Sequence, residues 1–139
     1  MGDLLLRKIL ACRERIEKLK NAIPVQAEDI AADERLEAFL SFHLFLLIQD
    51  AVDLAAHLVA ERGLAVPASQ RESFEALARA GLLTQKSAAA MARMASLRNR
   101  IAHSYGEIDT VRMVREMPEG LIVARQFLDE LVLATSGVE

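Results

Sequence analysis

Arg98, Asn99, His103 and Tyr105 fall within one short stretch, Arg98-Asn99-Arg100-Ile101-Ala102-His103-Ser104-Tyr105. They bring together a permanent cation, an amide, an imidazole that titrates near neutral pH and a phenol. One chemistry such a set can carry is cleavage of RNA by its own 2′-hydroxyl. That reaction needs a group to take the 2′-hydroxyl proton, a group to protonate the leaving 5′-oxygen, and a cation against the crowded phosphate. His103 suits either proton transfer, and the planar fork of Arg98 matches phosphate oxygens. Asn99 suits orienting a phosphate or the imidazole. Tyr105 suits hydrogen bonding, base stacking, or service as a nucleophilic or modifiable hydroxyl. The same spacing also fits a plain helix end, whose Arg and His complement the helix dipole while the Tyr anchors the turn.

The spacing limits how these groups meet. On an ideal helix Arg98 and Tyr105 share one face, and Asn99 and His103 share another. At about 100° per residue, Arg98 and His103 differ by roughly 140°. They converge only if the helix loosens near His103 or a second copy of the chain completes the site. A twofold dimer does the latter naturally.

The elements that must position this stretch are helical. The chain has 139 residues, 53% hydrophobic but only 4% aromatic and without Trp. That suits a single domain over 1–139, built by packing helix on helix. Cys12 is the lone cysteine, so no internal disulfide forms, and it reads as a small core residue. Met1-Gly2-Asp3 leads into a short apolar run broken by Arg7 and Lys8, unlike a secretory signal, and Leu6 argues against myristoylation. A cytoplasmic protein is expected. The net charge of −3 is unlike a protein that coats nucleic acid. It leaves room for a local basic cluster, for which Arg93, Arg98 and Arg100, with Arg79 and Lys86, are the candidates.

In chain order, Leu5, Ile9, Cys12, Ile16, Leu19 and Ile23 mark an amphipathic helix over 3–22, ended before Pro24, and Val25 to Ala32 reads as a connection. A long apolar helix follows, roughly Asp33 to Arg62, stopped by Gly63. Gln49, Asp50 and Asp53 interrupt it, so it reads as a central buried helix rather than a membrane span, which needs about 20 apolar residues. His43, Asp50, Asp53 and His57 form one polar stripe on it, and unpartnered carboxylates are costly to bury. The stripe must face water, a groove or a cation. His43 and His57 lie roughly 21 Å apart at about 1.5 Å per residue, too far to share a metal. Ser69-Gln70-Arg71-Glu72 has the capping-box pattern and opens a helix that Gly81 ends. Thr84 caps the helix that delivers the motif. Gly106 ends that helix, and Asp109 caps a last one running to about Ala134, kinked or split by Pro118 and Gly120. Met91, Met94, Met113 and Met117 read as core or interface filler.

The motif resembles the signature of the HEPN superfamily, and specifically of HepT-like toxins. Gln49-Asp50-x2-Asp53 resembles that family's second helix. Pro67-x6-Phe74-x2-Leu77-x3-Gly81 resembles the segment ahead of its motif helix, and Ile108-Asp109 fits just after it. The resemblance implies an all-α, four- to five-helix up-and-down bundle that dimerises around the motif helix. It implies a metal-independent endoribonuclease toxin, needing no cofactor, with a composite site at the dimer cleft. Arg98 and His103 are then the catalytic pair, with Asn99 in support. The implied partner is an MntA-like minimal nucleotidyltransferase antitoxin, which neutralises the toxin by transferring AMP to Tyr105. Asp50, Asp53 and Arg100 are placed as supporting residues, the two carboxylates by their position on the stripe. RNA is the expected substrate, with neither DNA nor membrane as partner. The alternative is a non-catalytic HEPN module that binds a nucleotide, or a substrate for a nucleotidyltransferase.

Overall fold

A computed structural model describes residues 3–23, 26–103 and 110–136, side chains of 27, 101–103, 110 and 111 excepted. The described residues form six helices and no strand: α1 (Asp3–Ala22), α2 (Ala27–Ala32), α3 (Glu34–Glu61), α4 (Gln70–Arg79), α5 (Gln85–His103) and α6 (Thr110–Thr135). Five are the helices expected from periodicity. The sixth, α2, lies within the stretch read as a connection. Its cap is Gln26, whose backbone N–H donates to Asp29 at 3.1 Å.

α3 is the axle of the bundle, packing against α1, α2, α4 and α5, while α6 closes on α1, α2 and α5. By length and composition alone α3 could cross a membrane. Here it buries Leu40, Leu44, Leu47, Ile48, Leu54 and Leu58 in the common core. Opposite that face runs the polar stripe. Phe74 of α4 and Phe127 of α6 meet edge to face at 5.7 Å, both fully buried. Cys12 is buried as expected. The four methionines at 91, 94, 113 and 117 line the α5–α6 side of the core.

Local signals set the helix ends. Asp33 accepts from the N–H groups of Arg35 and Leu36 at 3.0 and 3.2 Å, satisfying free donors of α3. At the other end the chain turns through Gly63 at φ +65°, and Leu64 N–H reaches back to the Val59 carbonyl at 3.0 Å. α4 ends the same way, with Gly81 at φ +81° and Leu82 N–H on the Leu77 carbonyl. Both are Schellman turns, which need a residue tolerant of positive φ. Ser69 Oγ accepts from Glu72 N–H at 3.2 Å, but the Glu72 carboxylate reaches one residue further back than a standard box, to Ala68 N–H at 2.7 Å. α6 does not split: it runs unbroken through Pro118 and Gly120. Pro118 lies on the exposed side, where its ring removes one backbone donor without having to fit into the core. The expected stop at Gly106 and the Asp109 cap lie outside the described residues.

Candidate active site

Arg98 lies near the C-terminal end of α5, on the side that meets α3, and its guanidinium is held from several directions. One Nη donates to the Gln49 side-chain carbonyl and the other to the Asn99 side-chain carbonyl. The carbon of the guanidinium sits 5.8 Å over the Phe45 ring, within reach of a cation–π attraction. Its Nε is buried and has no hydrogen-bond partner among the described residues. The result is a cation fixed in direction by neutral acceptors, with donor capacity left over. Gln49 is itself tied: its amide nitrogen donates to Asp53 Oδ1 at 3.0 Å.

The stripe on α3 is thereby divided between two cations. Arg98 of α5 takes its C-terminal side through Gln49 and Asp53. Arg15 of α1 takes the other side, donating to His43 Nδ1 at 2.8 Å and lying 3.9 Å from Asp50. A guanidinium can only donate, so this contact requires His43 Nδ1 to carry a lone pair. Burial, then the nearby charges of Arg15 and Lys18, push the His43 pKa down, consistent with a neutral ring. Asp50 is pushed up, because burial outweighs the attraction of Arg15 and Lys8. His57 at the far end pairs with Glu61 at 3.3 Å. Asp50 thus does not touch Arg98, and Asp53 reaches it only through Gln49.

Arg100 is not brought to Arg98. The two are separated by about 200° of helix rotation, and Arg100 instead lines a groove of about 260 Å³ between α5 and α6, with Arg93, Arg112, Glu116 and Glu119 around it. Arg79 lines a separate depression with Arg71 and Glu75. Of the basic residues expected as one cluster, Arg93 and Arg100 share the α5–α6 groove, while Arg98 and Arg79 lie elsewhere. Tyr105 and the His103 side chain lie outside the described residues. The backbone of α5, however, is helical through His103, so the helix does not loosen before that residue.

Sequence reasoning missed three supporting residues. Gln49 was legible as an interruption of an apolar run and as part of the Gln49-Asp50-x2-Asp53 resemblance, but no role was given to it, although its spacing of four from Asp53 puts both on one face. Arg15 looked like one of several solvated charges on α1. Glu130 of α6 holds the start of the motif helix, accepting from Thr84 N–H at 2.7 Å and from Ser87 Oγ. Burial pushes the Glu130 carboxyl up, but hydrogen bonds from Ser87, Thr84 and Gln126 outweigh it and leave its pKa lowered. Thr84 Oγ1 meanwhile caps α5 as expected, accepting from Ser87 N–H at 3.1 Å.

An all-α bundle that presents an anchored Arg-Asn pair ahead of His-x-Tyr, at the end of a long helix, defines a HEPN-type protein. The ribonuclease HepT-like family model matches residues 12–131, and the chain belongs to that family. It is 26% identical over 129 residues to the mRNA nuclease HepT of Shewanella oneidensis, covering 93% of this chain and 96% of that one. The fold superposes with a TM-score of 0.85 on the tri-AMPylated Shewanella oneidensis HEPN toxin solved in complex with its MNT antitoxin. That toxin is 26% identical, and the match covers 96% of this chain and 99% of the other. A toxin–antitoxin structure with AMP-PNP gives 0.83 at 25% identity, with 94% and 99% covered.

Proposed function

We propose that this chain is the toxin of a HEPN/MNT toxin–antitoxin pair, a cytoplasmic endoribonuclease that cuts RNA without a metal and is silenced by AMP transfer to Tyr105. The observation that carries the reading is the anchored, charge-bearing Arg98 on the motif helix of a HepT-like fold. The 2′-hydroxyl attacks the adjacent phosphorus, the 5′-oxygen leaves with a proton, and a 2′,3′-cyclic phosphate remains. Arg98 stabilises the charge on the phosphate, and His103 transfers a proton. Asn99 holds Arg98.

A dimer follows from the helix register. Because α5 is regular through His103, the roughly 140° between residues 98 and 103 persists, and a second motif supplies what one lacks. Phe39 and Phe42 support this, being 38% and 58% exposed on the α3 face that also carries Phe45 and Gln49. An exposed aromatic pair beside the site suits a partner copy. In neutralisation, the Tyr105 oxygen attacks the α-phosphorus of ATP and expels pyrophosphate. The resulting phosphodiester places an anion where RNA phosphates bind.

The test is expression of the wild type and His103→Ala in bacteria, alone and beside a cognate nucleotidyltransferase. Growth arrest is expected only with the wild type, with RNA cleavage that persists in EDTA. Tyr105→Phe should still arrest growth but escape the antitoxin. Folded wild type that neither arrests growth nor cuts RNA would instead favour the non-catalytic binding module.

A further inference from the structure

Resting on that ribonuclease reading, we infer that Gln49 is a positioning residue that fixes Arg98 while leaving its positive charge undiminished for the scissile phosphate. The argument is one of acceptor choice. A carboxylate would hold a guanidinium more firmly than an amide does, and α3 offers two carboxylates close by, Asp50 and Asp53. Neither is used. Asp50 is engaged by Arg15 of α1, and Asp53 stands one hydrogen bond away, behind the Gln49 amide. Among the described residues, both side-chain acceptors on Arg98, Gln49 and Asn99, are neutral. A direct ion pair would cancel much of the charge the transition state must feel, and it would compete with phosphate for the same N–H groups.

Asp53 has its own part. An ionised carboxylate only accepts, so it can bond only the NH2 end of the Gln49 amide. That fixes the amide's orientation and turns its carbonyl towards Arg98. The sequence Asp53–Gln49–Arg98 is therefore a relay of direction rather than of charge. The same relay explains why a stripe of acidic residues can lie beside a site for a polyanion.

Gln49→Glu is the informative variant because it is nearly isosteric and keeps an acceptor facing Arg98. It should stay folded with the wild-type helical circular-dichroism signal, the new ion pair with Arg98 offsetting the repulsion that replaces the lost hydrogen bond to Asp53. RNA cleavage should nonetheless fall by about a hundredfold to a thousandfold, a loss of the size seen when one transition-state donor is removed. Binding of a 2′-O-methyl RNA, which cannot be cut by its own 2′-oxygen, should weaken, and the salt dependence should drop by about one phosphate contact. A purely structural Gln49 predicts the opposite pairing, with activity following stability. Wild-type cleavage and binding in a folded Gln49→Glu protein would overturn the assignment while leaving the ribonuclease reading intact. A wild-type protein that neither binds nor cuts RNA would overturn both.

Discussion

At the residue scale, the polar groups on α3 are sorted by which cation reaches them, and this is where the sequence was least legible. The motif was visible as an unusual set of residue types, and the stripe on α3 was visible as a break in apolar periodicity. Their connection was not, because spacing along one helix says nothing about which neighbour packs across it. Asp50 and Asp53 were natural candidates to orient Arg98. α1 instead delivers Arg15 to Asp50 and His43, and an uncharged Gln49 meets Arg98. The His43 contact has a pH signature. Its folded pKa lies below the ordinary 6.5, so below that pH the unfolded chain binds the proton more readily. This contribution is present above about pH 6.5 and is lost as pH falls through the folded pKa. Thermal melts of the wild type and His43→Gln between pH 8 and 5 should therefore converge or cross, the wild type losing more on the acid side. Parallel curves would mean that His43 titrates alike in both states.

At the scale of elements, three of the helices follow directly from caps and stops. Asp33, Ser69 and Thr84 start three of them, and Gly63 and Gly81 end two. α2 escaped notice because it is a six-residue helix capped by Gln26, and Gln is not among the residues that favour that position. α6 was expected to kink or split; it does not split, since packing along both halves outweighs one lost hydrogen bond. Glu130 is the clamp between α6 and α5, and its bonds to Thr84 and Ser87 make it more than a surface charge. Glu130→Ala should destabilise the fold by about 2 kcal/mol, the usual cost of losing hydrogen bonds to a charged group, as read by urea denaturation. A change within about 0.5 kcal/mol would place the anchoring of α5 in its apolar face alone.

At the scale of the whole molecule, the long central helix is apolar enough to resemble a membrane span, and the bundle uses that character in two ways. One face of α3 is buried by its neighbours, and the other keeps Phe39 and Phe42 at the surface. A composite site predicts that this surface is occupied by a second copy. Phe42→Asp should turn a dimer into a monomer in sedimentation experiments and abolish RNA cleavage, with the helical circular-dichroism signal unchanged. A monomeric variant as active as the wild type would mean that one chain holds a complete site. The bundle architecture was readable from composition and periodicity, because each helix announces its own buried face. The proposed dimer was readable only indirectly, from an angular mismatch within one helix and from the family resemblance.

The clamp at the start of α5 also makes the motif a matter of rotational phase. Thr84 and Ser87 are pinned at one end, and Arg98 finds Gln49 eleven residues beyond Ser87, close to three full turns of about 3.6 residues. Adding or removing a single alanine between them would swing the guanidinium by about 100°, off α3 altogether, while scarcely altering the composition of the helix. The run Ala88-Ala89-Ala90, bland as a sequence, is therefore a spacer of fixed count: its side chains can vary in size within the limits of packing, but its length cannot.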